Sequence, residues 1–240
     1  MKITEKLGAK GAAMQKNPPV TIAFLGDSVT QGCFECFLLD DGGIDTVFDG
    51  ENAYSRRLYR LLQNLYPKTQ INIINAGISG DSAYGGVKRI DRDVLAFHPD
   101  LVIVSYGLND TYGKDAGIPG YKSCLKTIFE KIASVGAECI FLTENAMNTK
   151  ISPHLPREMR ELAADLQYRQ NSGLLDRYFD AARAVAAECG VAVCDCYQKW
   201  KRMIEVGVDT TELLANKLNH PARMWHDLFA FDLLETILFE

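Results

Sequence analysis

The chain has 240 residues, 47% of them hydrophobic and 24% charged, with a formal net charge of −5. That length suits one α/β domain with a sizeable core, and the balance is that of an ordinary soluble globular protein. A mildly acidic chain lacks the basic face that nucleic-acid binding uses, and no run approaches the roughly 20 apolar residues of a membrane helix, so neither nucleic acid nor a membrane span is expected.

Residues 1–18 carry Lys2, Lys6, Lys10 and Lys16 and no apolar core segment. They read as an N-terminal extension rather than a secretory signal, and a cytoplasmic location is expected. Residues 20–25 (VTIAFL) are a short apolar run ending at Gly26, a candidate buried strand. Residues 32–52 hold Asp40, Asp41, Asp45 and Asp49 among Gly42, Gly43 and Gly50. They read as a long loop of the kind that often carries function, here one wall of a cleft whose acidic residues disfavour anionic substrates.

Tyr54, Leu58, Leu61, Leu62 and Leu65 repeat at helical spacing, and Pro67 ends that helix. Residues 71–74 read as a second strand. Val87, Ile90, Val94 and Leu95 mark a helix stopping near His98-Pro99. Residues 101–106 (LVIVSY) are continuous and rich in β-branched side chains, as in a strand buried on both faces. Leu125, Ile128, Phe129 and Ile132 give a further helix, with Gly136 just past its end. Residues 139–143 and 191–195 read as strands four and five. Between them, a loop at 145–156 precedes one or two helices, and residues 225–239 form a last helix. There is no repeat and no linker, so residues 1–240 read as a single domain. Strands alternating with helices imply a mostly parallel five-stranded sheet covered on both faces, with ligands bound beyond the carboxyl ends of the strands.

Three polar clusters follow directly on the first three strands: Gly26-Asp27-Ser28-Val29-Thr30-Gln31-Gly32, Asn75 to Ser82, and Gly107-Leu108-Asn109-Asp110. A fourth, Asn219-His220-Pro221, precedes the last helix. Singly each is weak, because Gly, Asp, Ser and Asn all suit turns. Together they hold the parts of acyl transfer. A serine hydroxyl needs a base, a histidine can take and return its proton, and backbone N–H groups with an Asn amide can hold an oxyanion.

Gly26-Asp27-Ser28 with Gly32, Gly80 within Ser79-Gly80-Asp81, Gly107-Leu108-Asn109-Asp110 and His220-Pro221 resemble, in order, the four sequence blocks of the GDSL/SGNH hydrolase superfamily. The resemblance implies a flavodoxin-like three-layer α/β/α fold and a hydrolase of carboxylic esters without cofactor or metal. It implies Ser28 as nucleophile and as an oxyanion donor through its N–H, Gly80 as a second donor, the Asn109 amide as a third, and His220 as general base. The resemblance implies acylesterase, lysophospholipase, thioesterase or carbohydrate deacetylase activity without choosing among them; the expected cytosolic location and the lack of a lipid-anchoring helix favour a small ester with a short acyl group, such as acetyl on a sugar. Oligomeric state is not legible.

The pattern breaks at one place. The superfamily usually has Asp three residues before the histidine, and Lys217 stands there. Three readings follow: a Ser–His dyad whose ring is held by a backbone carbonyl or an Asn, a carboxylate supplied by Asp209, Glu212 or Asp227, or an impaired enzyme. The dyad is favoured, since every other part is retained. His226 is the competing base, while His98 and His154 read as turn residues. Asp27 and Asp110 read as structural hydrogen-bonders, Asn145 and Asn148 as pocket-lining, and Glu144 as a helix cap. Cys33-x-x-Cys36 and Cys194-x-Cys196 read as reduced thiols rather than a zinc site. A nucleotide-binding module is the reading from another class; the absence of a P-loop Lys and of GxGxxG spacing argues against it. A carbohydrate-binding relative without activity is the third.

Overall fold

All seven residues of β1 (Val20–Gly26) are buried. In the computed structural model, which describes residues 1–239, this strand is an inner strand of a five-stranded sheet of order β4-β1-β5-β6-β7. The others are β4 (Ile71–Gly77), β5 (Leu101–Ser105), β6 (Glu138–Leu142) and β7 (Ala192–Cys194), and every pairing among the five is parallel. The apolar runs read from the sequence are these strands. β1 and β5 are buried throughout because helices cover both faces, whereas β4 and β7 at the sheet edges are only partly buried.

One outer layer is built from α1 (Lys2–Ala12), α3 (Tyr54–Leu65), α8 (Cys196–Glu205) and α9 (His226–Phe239). The other is built from α4 (Ala83–Asp93), α5 (Lys114–Ser134), α6 (Arg160–Asn171) and α7 (Leu174–Cys189). The result is the three-layer α/β/α arrangement expected. Residues 144–190 divide as anticipated into a loop followed by two helices, α6 and α7. Residues 2–12 are more than an appendage: Ile3 and Leu7 are fully buried, and the Glu138 carboxylate receives the Lys2 and Ile3 N–H groups at 2.9 and 2.6 Å. A carboxylate at a helix start meets both the free N–H groups and the dipole.

The long loop read over residues 32–52 is corrected by the structure. It folds as an antiparallel hairpin, β2 (Cys33–Leu38) and β3 (Ile44–Phe48), with a register shift between Cys33 and Cys36. The Asp and Gly residues that suggested a loop make its turn. Asp41 Oδ1 accepts the Gly43 N–H at 2.8 Å, and the Leu39 N–H donates to the Gly43 carbonyl at 2.8 Å. Turn chemistry concentrated at the centre of the segment masked the short strands on either side.

The sheet register sets the site. Gly26 pairs with Gly77 on one side and with Ser105 on the other. Strands β1, β4 and β5 therefore end level, and the three polar clusters emerge on one rim. Gly77 is required there by close approach: a Cβ on it would stand 2.2 Å from the Gln31 nitrogen. That clearance lets the α2 turn (Ser28–Gln31) sit directly on the end of β4.

Candidate active site

Ser28 opens α2, a single helical turn. Asp27 caps it, with Oδ1 accepting the Val29 N–H at 2.9 Å, the usual role of Asp at an N-cap. Gly32, at φ 94°, ends the turn in the left-handed conformation. Thr30 is pinned to Tyr54 on α3, hydroxyl to hydroxyl at 2.8 Å. The nucleophile candidate thus sits on a turn fastened at both ends, and it is 3% exposed.

His220 arrives on a loop that is equally well tied. Asn216 Oδ1 accepts the N–H groups of Leu218, Asn219 and His220 at 3.0, 2.9 and 2.9 Å. The Ala215 N–H donates to the His220 carbonyl at 2.7 Å. Asn145 Nδ2 donates to the Asn219 carbonyl at 2.7 Å, and the Asn148 N–H to that of Leu218 at 2.7 Å. Asn145 and Asn148, read from sequence as pocket-lining, are wholly buried and brace this loop instead.

The two groups meet. His220 Nε2 lies 3.0 Å from Ser28 Oγ, and His220 Nδ1 lies 3.0 Å from the Phe34 carbonyl oxygen on β2. A carbonyl only accepts, so Nδ1 carries the hydrogen and donates it. Nε2 is left with its lone pair facing the serine hydroxyl, which donates to it. Burial pushes the His220 imidazolium pKa down to about 4, against the opposing effect of the Phe34 carbonyl. The ring is accordingly neutral at ordinary pH.

None of the three carboxylates proposed as a substitute partner contacts His220. Asp209 pairs with Lys150, Asp227 with Arg57, and Glu212 with Lys217. Lys217 itself has φ 58°, and its ammonium reaches Glu212 Oε2 at 3.0 Å. His226 does not reach Ser28 either. It is fully buried, its Nδ1 accepts the Tyr54 N–H at 3.1 Å, and its ring packs 4.9 Å from Phe34.

The proposed oxyanion residues lie on the loops that follow β4 and β5, each tied to the chain beside Ser28. Gly80 lies in the turn closed by the Asp81 N–H to Ile78 carbonyl bond at 3.1 Å, and its φ of 78° suits glycine. Gln31 Oε1 accepts the Ser79 N–H at 2.6 Å, tying that turn to α2. Asn109 Nδ2 donates to Asp27 Oδ2 at 3.1 Å and to the Asp81 carbonyl at 2.9 Å. A cleft of about 320 Å³ opens beside Asn109, bordered by Ser82, Tyr84 and Tyr121.

Three further positioning groups had no sequence signal. Arg89 donates to the Gly26 carbonyl at 2.9 Å and to Asp81 Oδ2 at 2.7 Å, so one guanidinium joins the serine strand to the Gly80 turn. Arg223 reaches Glu35 Oε1 at 2.6 Å and Asp49 Oδ2 at 2.8 Å and covers the Phe34 ring at 4.3 Å. The third is the Phe34 carbonyl, and a backbone acceptor leaves no mark on residue type. No group of three or more His, Cys, Asp or Glu side chains that could hold a metal occurs among the described residues.

Comparison with known proteins agrees with this architecture. The GDSL-like Lipase/Acylhydrolase family matches residues 24–228. An acetylxylan esterase of Geobacillus stearothermophilus is 34% identical over 91 residues, a segment that is 38% of this chain and 40% of that protein. Less than half of that relative is therefore spanned. Among solved structures, a two-domain esterase (CEX) active on acetylated mannans superposes with a TM-score of 0.70 at 18% identity, covering 98% of this chain and 52% of that one. Axe2, an acetylxylan esterase from Geobacillus stearothermophilus, superposes with a TM-score of 0.64 at 21% identity, covering 92% and 95%. At such identities the structural likeness speaks for the fold. The match over residues 24–228 covers all four sequence blocks, and the chain belongs to the GDSL-like lipase/acylhydrolase family.

Proposed function

We propose that the protein is a serine esterase that cleaves small acyl esters, acetyl groups on carbohydrates foremost, through an acyl-enzyme on Ser28. The observation that carries this reading is the 3.0 Å contact between Ser28 Oγ and His220 Nε2. As Ser28 attacks the ester carbonyl, Nε2 takes the hydroxyl proton. The oxyanion forms beside the N–H groups of Ser28 and Gly80 and the amide of Asn109, which exchanges its bond to the Asp81 carbonyl for one to substrate. The imidazolium returns its proton to the leaving alcohol. Water, deprotonated by the same ring, then releases the acid and restores the serine. The Phe34 carbonyl keeps the ring in the productive tautomer throughout, so the centre works as a dyad.

The acetyl-carbohydrate preference rests on the likeness to the acetylxylan esterase and to the esterase active on acetylated mannans. The exposed Tyr84 ring at the cleft fits it, offering a flat face beside Asn109. The test is acetate release from acetylated xylo- and manno-oligosaccharides, alongside turnover of p-nitrophenyl acetate and butyrate, for wild type and Ser28→Ala. Turnover that depends on Ser28, with labelling of Ser28 by an organophosphonate, supports the reading. Turnover indifferent to Ser28, or none at all, rejects it.

A further inference from the structure

Behind the oxyanion residues lies a carboxyl group that the reaction above does not use. Glu144 follows β6 and is wholly buried. Its Oε2 accepts the Leu108 N–H at 3.0 Å. Its Oε1 is buried with no hydrogen-bond donor facing it among the described residues. The carboxyl beside it is that of Asp27, 1% exposed, whose two oxygens already serve the Val29 N–H and the Asn109 amide. Neither Asp27 nor Glu144 makes an ion pair among the described residues.

Two adjacent carboxylates without a cation in a dry site do not both ionise. A single proton on Glu144 Oε1, donated to Asp27, fills the orphaned position and removes one of the two charges. We propose, building on the esterase reading, that Glu144 is a positioning residue: it holds a proton shared with Asp27 and thereby keeps Asp27 aiming the Asn109 amide at the oxyanion. Burial acts in the same direction, pushing Asp27 up to about 6 and Glu144 well above the carboxylate range. The other titratable groups facing the pair are Asp110, Asp81, Tyr54 and Tyr121. Asp110 is itself pushed up by burial, and Asp81 forms an ion pair with Arg89 at 2.7 Å. Loss of the shared proton would place a second negative charge behind a centre that must itself become negative.

The test compares Glu144→Gln, which keeps a neutral donor and acceptor, with Glu144→Leu, which keeps neither. The expected result for Glu144→Leu is a fall in kcat of about 10- to 100-fold with KM little changed, the scale of a displaced catalytic group. The wild type is expected to show an alkaline decline in kcat as the pair gives up its proton, and Glu144→Gln is expected to keep most of the wild-type kcat and to lack that decline. In an Asn109→Ala background, Glu144→Leu is expected to cost nothing further. A Gln variant as damaged as the Leu variant, or an unchanged alkaline decline, overturns the proposal. NMR titration of the wild-type protein labelled at the glutamate carboxyl carbons checks the proton without any assay of turnover. A Glu144 carboxyl that is already ionised at neutral pH overturns the proposal even if the esterase is active. A Glu144 proton retained at neutral pH in a protein without Ser28-dependent turnover upholds the pair and rejects the esterase reading.

Discussion

His220 Nδ1 and the carbonyl oxygen of Phe34 stand 3.0 Å apart, in the place where a triad has its carboxylate. The substitution has a definite physical content. A carbonyl fixes the tautomer and the ring orientation as well as a carboxylate does, but as a neutral dipole it stabilises the imidazolium less. The low pKa of His220, about 4, is what a buried ring without an anionic partner shows.

Restoring the family's Asp by Lys217→Asp is therefore expected to change kcat far less than the about 10⁴-fold that the triad carboxylate contributes in a trypsin-type protease. Nδ1 is already occupied, and the backbone at 217 has φ 58°. Steady-state turnover of p-nitrophenyl acetate checks this, and a rise of that size would mean that the natural centre is impaired.

Arg223 holds the carbonyl in place by fastening β2 at Glu35, the end of β3 at Asp49 and the Phe34 ring. Arg223→Gln removes both ion pairs and the stacked cation. With Phe34 free to shift by a fraction of an ångström, kcat should fall by about 10- to 100-fold while KM stays near wild type. Melting temperature, measured in parallel, should drop only slightly, because the ion pairs are partly exposed.

The activity profile with pH follows from His220. Its pKa lies below the ordinary 6.5, so the base form persists as pH falls. The kcat/KM should stay level from neutrality downward and decline only as pH passes through about 4. An inflection near 6.5 would show that the ring is more exposed than its 6% suggests.

Stability should respond to Asp110 with the opposite sign. Its folded pKa, about 7, is raised above 3.8 by burial, so the native state binds more protons than the unfolded chain between those values. Stability contributed by the neutral carboxyl is present below 3.8 and is lost as pH rises toward 7. Asp110→Asn keeps an acceptor for the Ala83 N–H and cannot ionise. The melting temperature of the variant should decline less than that of wild type between acidic and slightly alkaline pH.

Gly77→Ala tests how α2 is seated. The new Cβ would meet the Gln31 nitrogen at 2.2 Å and its Cα at 2.7 Å, both backbone atoms that cannot move aside alone. Overpacking of this kind typically costs about 1–3 kcal/mol. Here it also displaces the turn bearing Ser28, so turnover should drop together with the denaturant midpoint.

The sheet and the placement of the site were legible in the sequence because uninterrupted apolar runs such as 101–105 have few places to go other than a covered parallel sheet. Ser28, Gly80, Asn109 and His220 were legible as motif residues, and the structure brings the serine and histidine together. The hairpin at 33–48 was hidden, since Asp41 to Gly43 mark a turn without showing that strands flank it. The histidine's partner was hidden for a deeper reason: Phe34 acts through its backbone, and any side chain there supplies the same oxygen. Glu144 was misread as a helix cap, because only the folded sheet brings the chain after β6 behind β5.

Ser28 and His220 are 192 positions apart in the chain, and Phe34 and His220 are 186 apart. Contacts spanning such distances form only once the intervening chain has condensed. In synthesis the amino-terminal strands emerge first, so the serine turn can be complete while its base is still unmade. On the proposed esterase reading, a chain interrupted before residue 220 lacks its base, so ester turnover would report a completed fold.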